Sequence, residues 1–357
     1  MNRILFAGGG TAGHIEPAWA TSEVWRHRHP GDEVAFLGTK SGQEVLLIPD
    51  RGGRLFIIPK VVAPRKFSMS LFAFPFQLIN SIAKTLRVVK QFDVVVGFGG
   101  YVAASAYIAA VLLRKPIVIH EQNAKVGLAN KFGAIFTKEI CVAYSNAVNE
   151  LRGAKLVGNP LKAEIVDAAE QSRSDWSISR AAAKARLGIT KPLVLILGGS
   201  SGALAINRVI AEFLQDRNFT PGFSIIHSLG RDHQIPQGSD VYRPTKYIDD
   251  MATALLAADL VISRSGAIAT SEIAALTKFA LFIPLPIGNG EQELNAKELV
   301  NAGYAELIQQ EDFTATWLAA NLTRLLEKGS SPGNMAPFGT PLHAAEEIAD
   351  CIERVVQ

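Results

Sequence analysis

A glycine-rich turn between a short apolar strand and a helix occurs twice in this chain, about half its length apart. The first turn, GGGTAG at residues 8–13, follows the apolar residues 4–7, and the second, GGSSG at residues 198–202, follows residues 193–197. A strand, a glycine turn and a helix in that order open a doubly wound α/β domain. The repeat therefore predicts two domains with similar beginnings, and the length of 357 residues suits two cores better than one.

Further runs of Val, Ile and Leu lie between helical patterns, and they lack the polar alternation of a half-exposed strand. Such runs suit strands buried on both faces of a parallel sheet. They cover residues 34–37, 94–96, 117–120, 224–227, 260–263 and 280–284. We place the domain boundary so that residues 1–161 form the first domain and residues 162–340 the second. The tail, residues 341–357, has an apolar helical face and is expected to pack back on the first domain.

The distribution of charge, the apolar runs and the cysteine content indicate the partners and the compartment to expect for this chain. Residues 1–160 contain 19 Lys and Arg against 10 Asp and Glu, whereas residues 161–357 contain 17 against 23, so the first half should meet a negatively charged partner. The chain enters a strand too early for a signal peptide, and its longest apolar run, residues 102–113, is too short to span a bilayer. Cys141 and Cys351 show no metal spacing, which predicts reduced core residues of a cytoplasmic protein.

The first glycine turn satisfies the dinucleotide pattern GxGxxG through Gly8, Gly10 and Gly13. A nicotinamide or flavin enzyme would also need a carboxylate at the end of the second strand, where this sequence has only FLGT at residues 36–39. The turn can still bring backbone amides and a helix N-terminus close to an anion. His14 on the first helical turn faces the same space and is a candidate acid or base.

Two polar clusters follow strands of the first domain, at the end where open α/β sheets bind ligands. The loop GFGGY occupies residues 97–101, and HEQN occupies residues 120–123. Packing alone does not explain four polar residues at the end of a buried strand. We interpret HEQN as an acid/base or hydroxyl-binding group.

The second domain contains a strand, the turn RSG at residues 264–266 and a helix that starts at Ala267. The N-terminal amides of that helix can bind a diphosphate, and Glu272 can accept hydrogen bonds from both hydroxyls of a ribose. Gln292 and Asn295 are three residues apart, so they share a helix face suited to sugar hydroxyls. The sequence has no Asp-x-Asp motif, no His/Cys cluster and no P-loop, which leaves metal-dependent transfer and P-loop chemistry unsupported.

Residues 64–90 combine basic and large apolar side chains. PRKFSMSLFAFPF at residues 64–76 is followed by a helical pattern with Lys84, Arg87 and Lys90 beside its apolar face. This composition suits docking onto an anionic membrane surface. Burial of the phenylalanines in the core is the equal alternative.

Eight motifs together resemble those of the MurG family, the bacterial lipid II synthases. In chain order they are GGGTAGH, GFGGY, HEQN, GNPLK, GGSSGA, YIDDM, SRSGAIATSE and QELNA. The resemblance implies a GT-B fold, two Rossmann-like domains facing a cleft. It implies transfer of GlcNAc from UDP-GlcNAc to the MurNAc C4 hydroxyl of undecaprenyl-pyrophosphoryl-MurNAc-pentapeptide (lipid I), which gives lipid II for peptidoglycan synthesis, cell shape and cell division. It implies no cofactor, no nucleic acid, and a peripheral position at the cytoplasmic face of the inner membrane.

The resemblance also assigns site residues. Those on the acceptor side are Thr11, Ala12, Gly13, His14 and Asn123. On the donor side, Ile248 would contact uracil through its backbone, Glu272 would hold the ribose, and Gln292 would hold GlcNAc with Asn295. The diphosphate would meet the helix start and the second glycine turn, at Ala267, Ile268, Ala269, Thr270, Ser271 and Ser200.

Three positions depart from the family pattern. Ala12 stands where a glycine is usual, and Ser201 stands where a glutamine is common. Lys162, also expected to contact substrate, stands where an arginine is frequent, and lysine keeps the charge but lacks the bidentate fork. Altered donor affinity or weakened activity could follow.

An α-linked donor and a β-linked product imply inversion by one displacement, with one base and no covalent intermediate. His14 is the preferred base because an imidazole titrates near neutral pH, and Glu121 is the alternative. The helix start at Ala267 would stabilise the departing UDP, with Arg264 as a further candidate. Three alternatives remain: a UDP-GlcNAc 2-epimerase, a nicotinamide oxidoreductase, and a scaffold that binds UDP-GlcNAc at the membrane without turnover.

Overall fold

A computed structural model describes residues 1–60, 70–199, 201–215, 222–286, 290–330 and 340–356, with the side chains at 12 and 70–78 left undescribed. The chain divides into two compact units. Unit 1 consists of Met1–Lys162 and Pro341–Gln357, and unit 2 consists of Ala163–Thr340. Each unit is a parallel sheet with helices around it, which confirms the predicted pair of Rossmann-like domains.

The sheet of unit 1 has the strand order β3-β2-β1-β4-β5-β6-β7 in the described part of the chain, and every pairing is parallel. Its strands are β1 (Arg3–Ala7), β2 (Glu33–Thr39), β3 (Arg54–Ile58), β4 (Val94–Gly97), β5 (Ile117–Glu121), β6 (Ile140–Val142) and β7 (Lys155–Leu156). The central strands β1, β4 and β5 are apolar along most of their length and buried on both faces, as parallel pairing requires.

Helices cover both faces of this sheet, so each face has its own core cluster. They are α1 (Ala12–Arg28), α2 (Glu44–Asp50), α3 (Ser70–Val89), α4 (Gly100–Leu112), α5 (Leu128–Gly133), α6 (Ser145–Glu150) and the tail helix α14 (Ala344–Val356). Among the described residues, no helix has the length and apolar character needed to cross a membrane.

The tail helix α14 packs against α1, β4 and β5, which confirms that the C-terminal helix returns to the first domain. Its buried face includes Ile348 and Ile352 at helical spacing, as the sequence pattern predicted. Cys351 on this helix lies 3.4 Å from Cys141 of β6, sulfur to sulfur, and both thiols are buried and free. Both cysteines therefore lie in the core, as predicted, and their reduced state stays a prediction.

The sheet of unit 2 has the order β10-β9-β8-β11-β12-β13 in the described residues, again all parallel. The strands are β8 (Leu193–Leu197), β9 (Ser224–Ser228), β10 (Tyr242–Thr245), β11 (Leu260–Ser263), β12 (Ala280–Phe282) and β13 (Ala305–Leu307). The helices are α7 (Ala163–Ser174), α8 (Trp176–Leu187), α9 (Leu204–Phe213), α10 (Met251–Ala257), α11 (Ala267–Ala275), α12 (Glu291–Asn301) and α13 (Ala315–Ser330).

Candidate functional site

Both units place their glycine-rich turns where strand order changes direction. In unit 1 the chain leaves β1 for β2 on one side and later returns to β4 on the other, and in unit 2 β8 has β9 and β11 as neighbours in the same way. Loops that leave the carboxyl ends of such adjacent strands diverge and open a crevice for a ligand. The candidate sites are therefore the loops after β1 and β4 in unit 1, and after β8 and β11 in unit 2.

His14 lies where the loops after β1 and β4 meet. Its Nδ1 is 3.2 Å from Oγ1 of the exposed Thr11, and a methyl group added at Gly100 would lie 3.6 Å from its Nε2. Gly99 and Gly100 have positive φ angles, which allow the loop after β4 to pass this close to the ring. Burial lowers the pKa of the His14 imidazole, and the negative charge of Glu44 partly opposes that shift. A half-buried, neutral imidazole can accept a proton.

A carboxylate does lie at the carboxyl end of β2, although FLGT at residues 36–39 contains none. Glu44 at the start of α2 is buried, and its oxygens accept hydrogen bonds from the Thr39 amide at 2.7 Å and the Gly10 amide at 2.8 Å. The first glycine turn therefore donates one of its amides to the protein itself, where we had expected an external anion. Because Glu44 is only 1% exposed, it cannot hold the ribose of a dinucleotide.

The HEQN cluster is organised by internal hydrogen bonds. Glu121 is buried and accepts from the amides of Asn123 and Gly127, each at 2.9 Å, and from Nδ2 of Asn130 at 2.9 Å. Burial raises the pKa of the Glu121 carboxyl. His120 contacts the Gly158 carbonyl through Nε2 at 2.9 Å, and burial lowers its pKa to about 4. Asn123 is half-buried beside them.

Asn130 was missed in the sequence and connects several of these parts. Its Nδ2 also donates to the His120 carbonyl at 3.1 Å, while its Oδ1 accepts from the Tyr107 hydroxyl at 2.8 Å. A methyl group added at Gly99 would lie 3.2 Å from the same Nδ2. Helix α5 thus holds both the HEQN segment and α4 through one amide. The only signal in the sequence was an amide side chain among small and apolar residues, next to Lys131, in a short helix.

In unit 2, the N-terminus of α11 opens at the carboxyl end of β11. Its cap residue Gly266 is extended and contributes no side-chain cap, and a methyl group added there would meet no described atom within 4 Å. Thr270 and Asn295 shape this turn: Thr270 Oγ1 donates to the Gly266 carbonyl at 2.9 Å, and Asn295 Nδ2 donates to the Ser265 carbonyl at 3.3 Å. The turn can accommodate an anion against the helix start.

Other donor-side residues lie around this helix start. Ile268, Ala269 and Glu272 are half-buried, whereas Ala267 and Ser271 are buried. Gln292 on α12 accepts from the Leu285 amide at 3.0 Å, but Asn295 is 1% exposed and turns toward the β11 loop. The two side chains therefore have different partners in the protein, and their joint contact with sugar hydroxyls stays a prediction.

The Arg264 side chain forms hydrogen bonds within the protein. Its guanidinium donates to the carbonyls of Ile283 at 2.9 Å and Pro284 at 3.1 Å, and to Oε1 of Gln310 at 2.6 Å. Those bonds connect the loops after β11 and β12. We assign Arg264 to holding the shape of the turn that precedes α11.

Ile248 is half-buried in the loop between β10 and α10. The loop is held at both ends, because the Lys246 carbonyl accepts from the Gly230 amide at 3.1 Å and Asp250 caps α10 through the Thr253 amide at 3.0 Å. A fixed loop of this kind can present backbone groups to a planar base.

The remaining predicted positions are scattered. Lys162 is half-buried at the end of unit 1, and Gly13 is half-buried in α1. Ser200 and residues 64–69 lie outside the described residues, and nothing is described of the Ala12 side chain. Across the described ranges, no three His, Cys, Asp or Glu side chains are grouped as metal ligands.

Comparison with known proteins agrees with the two-unit architecture. The glycosyltransferase family 28 N-terminal domain matches residues 4–142, and the family's C-terminal domain matches residues 193–355. A protein of Corynebacterium diphtheriae named UDP-N-acetylglucosamine–N-acetylmuramyl-(pentapeptide) pyrophosphoryl-undecaprenol N-acetylglucosamine transferase is 40% identical, over 99% of this chain and 97% of its own length.

Solved structures agree with this assignment. MurG of Acinetobacter baumannii superposes with a TM-score of 0.74 at 27% identity, covering 99% of this chain and all of its own. The UDP-GlcNAc 2-epimerase of Neisseria meningitidis superposes with a TM-score of 0.60 over 99% of this chain and 100% of its own, but at 14% identity it shares only the fold. The chain therefore has the GT-B fold and belongs to the MurG family of N-acetylglucosaminyltransferases.

Proposed function

We propose that this N-acetylglucosaminyltransferase uses the helix start of α11 to hold UDP-GlcNAc and His14 to deprotonate the MurNAc C4 hydroxyl of lipid I, which gives lipid II. The observation that carries the proposal is a half-buried imidazole among glycine loops at the switch point of unit 1, in a chain of the MurG family. The product would enter peptidoglycan synthesis, and through it cell shape and division.

The donor site we infer is formed by unit 2. The diphosphate would bind at the N-terminus of α11, where Gly266 leaves space and the helix dipole is positive. Glu272, a little more than one turn into the helix, would accept from the ribose hydroxyls. Ile248 would present its backbone to uracil, and Gln292 would meet GlcNAc from α12.

The acceptor base we infer is His14. Glu121 is buried, and its oxygens already accept hydrogen bonds from two backbone amides and the Asn130 side chain. A carboxylate so enclosed serves to organise a loop. His14, by contrast, has its Nδ1 beside the Thr11 hydroxyl. If Nδ1 donates its proton to that hydroxyl oxygen, Nε2 carries the lone pair that a base requires.

The reaction is a single displacement. The C4 hydroxyl oxygen forms a bond to C1 of GlcNAc as the bond from C1 to the diphosphate oxygen breaks, and UDP leaves with the electron pair. The hydroxyl proton passes to Nε2 of His14. Inversion follows because the nucleophile attacks the face opposite the leaving group. The amides at the start of α11 would stabilise the charge that develops on UDP.

We further propose that unit 1 docks on the anionic cytoplasmic face of the cell membrane. Helices α3, α4 and α5 contact in succession, and exposed apolar side chains occur on or just after each of them. Leu112 is 63% exposed, Leu128 is 85% exposed and Ile135 is 74% exposed. The excess of Lys and Arg in residues 1–160 favours an anionic lipid surface.

The experiment that tests the reaction is transfer of labelled GlcNAc from UDP-GlcNAc to a short-chain lipid I analogue, with and without EDTA. Formation of the β1→4-linked product supports the proposal. Incubation with donor alone tests the epimerase alternative, which predicts a change in UDP-GlcNAc without any acceptor. Binding of UDP-GlcNAc without transfer to the analogue would refute the proposed activity and favour a scaffold.

A further inference from the structure

The carboxylate of Glu44 has a cavity built for it. It is 1% exposed, and no Lys or Arg among the described residues pairs with it. Its donors are the amides of Gly10 and Thr39 and the Thr39 hydroxyl, at 2.7 to 3.2 Å. A buried carboxylate that accepts three hydrogen bonds from fixed groups is held in position.

Three glycines enclose this carboxylate. A methyl group added at Gly9 would lie 2.6 Å from Oε1 of Glu44, and methyl groups at Gly38 or Gly42 would collide with the same side chain. The middle glycine of the first turn is therefore required by Glu44, and the loops after β1 and β2 both close around it. The glycines and the hydrogen-bond donors thus form an enclosed pocket that the Glu44 carboxylate fills.

By holding the Gly10 amide, the Glu44 carboxylate also positions the residues that follow Gly10 in the first glycine turn. Gly10 has a positive φ of 96° and is followed by Thr11, whose hydroxyl lies 3.2 Å from Nδ1 of His14. Fixing the Gly10 amide thus fixes the group that selects the tautomer of His14. The negative charge of Glu44 also favours the imidazolium that forms when the ring takes a proton.

We propose that Glu44 is a positioning residue for the transfer reaction: it holds the first glycine turn through Gly10 and Thr39, and its charge stabilises the imidazolium of His14. The proposal rests on the proposed role of His14 as base. It resembles the way a buried aspartate orients and stabilises the histidine of a catalytic triad.

The other charged groups on the elements around His14 are paired with each other, exposed, or enclosed by their own loop. Glu16 on α1 and Arg51, which follows α2, pair with each other at 2.7 Å. Lys40 in the loop after β2 is exposed. On the β5 side, Glu121 is enclosed by its own loop. Among the described residues, Glu44 is therefore the charged group whose field acts on the ring.

The test compares Glu44→Gln, Glu44→Asp and the control Glu16→Gln. Glutamine keeps the shape of the side chain and removes the charge. We expect Glu44→Gln to lower kcat by about 10- to 100-fold with little change in KM for UDP-GlcNAc. The acid limb of kcat/KM for the acceptor should move to lower pH, because the ring loses a favourable neighbour for its protonated form. Glu44→Asp should retain part of the rate, and Glu16→Gln should match the unmodified enzyme.

The second readout does not depend on catalysis. NMR titration of ¹⁵N-histidine in the full chain, with the His14 signal assigned through His14→Gln, should show a lower pKa for His14 in Glu44→Gln. An unchanged titration together with an unchanged kcat would overturn the proposal. If His14→Ala itself kept normal transfer, the base assignment would fail while a shifted titration would still show the charge coupling. Should Glu44→Gln not fold, Glu44→Asp decides, since unchanged turnover and titration there would also overturn the proposal.

Discussion

Asn130→Ala should destabilise unit 1 strongly and slow transfer without touching the donor site. The amide of Asn130 is fully buried and makes three hydrogen bonds to two elements: to the Tyr107 hydroxyl on α4, and to the His120 carbonyl and the Glu121 carboxylate on β5. Alanine removes all three bonds at once.

The expected loss in the free energy of unfolding follows from the buried groups that Asn130→Ala leaves without a hydrogen-bond partner. The Tyr107 hydroxyl loses its acceptor and the His120 carbonyl loses a donor, at about 1–2 kcal/mol each for buried groups. Glu121 loses one charge-assisted bond but keeps those from Asn123 and Gly127, which adds about 1 kcal/mol. The expected loss is about 3–5 kcal/mol, a large part of the stability of a domain, and it lowers the melting temperature of unit 1 by about 6–20 °C.

The assay is urea unfolding followed by fluorescence and circular dichroism, with Asn321→Ala as the matched control. Asn321 on α13 makes its backbone bond near the surface of unit 2, so its loss should cost less than about 1 kcal/mol. A double-mutant cycle with Tyr107→Phe isolates one of the three bonds, and we expect a coupling energy of at least about 1 kcal/mol. A loss below 1 kcal/mol for Asn130→Ala, with no coupling to Tyr107, would refute the reasoning.

Four further changes test other parts of the molecule. Glu121→Gln should lower the free energy of unfolding and kcat while the pH at the midpoint of the acid limb stays unchanged, as measured by pH–rate profiles. Glu272→Ala should weaken UDP binding by about 10- to 100-fold in calorimetry, because two hydrogen bonds to a carboxylate are lost. Leu128→Ser with Ile135→Ser should reduce flotation with anionic vesicles by about 10-fold or more. Unfolding monitored from pH 7 to pH 4 should show falling stability, because the folded protein resists protonation of His120, whose pKa is lowered to about 4 while the unfolded chain binds the proton near pH 6.5.

Controls make these outcomes decisive. Glu293→Ala, an exposed neighbour on α12, should leave UDP affinity unchanged, and equal effects at Glu272 and Glu293 would contradict a ribose contact. Unchanged vesicle binding in the double serine variant would place the membrane contact elsewhere. A shift of the acid limb in Glu121→Gln, with none in His14 variants that retain activity, would make Glu121 the base. In His120→Asn, the dependence of stability on pH should be smaller than in the unmodified chain.

Secondary-structure elements could be predicted from the sequence where the local residue pattern agrees with how the element packs. The strands β8 and β11 were predicted with their exact bounds, because a fully buried parallel strand is apolar throughout and glycine or polar turns mark its ends. The tail helix was predicted because its buried residues follow a helical period. Strands β3, β6, β7, β10 and β13 were not predicted. The last strand of each sheet edge, β7 and β13, pairs over only two or three residues and needs no apolar run.

Side-chain roles were harder to predict than elements. Glu44 resembles an ordinary acidic residue in the first turn of a helix, where it would favour the macrodipole. Only the folded chain shows that Gly9, Gly38 and Gly42 leave room for its carboxylate. Arg264 shows the reverse: a basic residue beside a predicted diphosphate site suggested a charge contact, yet its guanidinium is used by backbone carbonyls from the next loop.

The glycine turns show why a motif indicates a place more reliably than a function. In unit 1 the middle glycine makes room for Glu44, and the Gly10 amide is already donated to that carboxylate. In unit 2, methyl groups at Gly202 or Gly230 would collide with the backbone of the other's loop, so these glycines let the loops after β8 and β9 pack together. Gly266, outside both glycine-rich turns, also has open space around it, and there a helix begins without a side-chain cap. Because the cap at Gly266 leaves the first amides of α11 accessible, a diphosphate is expected at the turn before this helix.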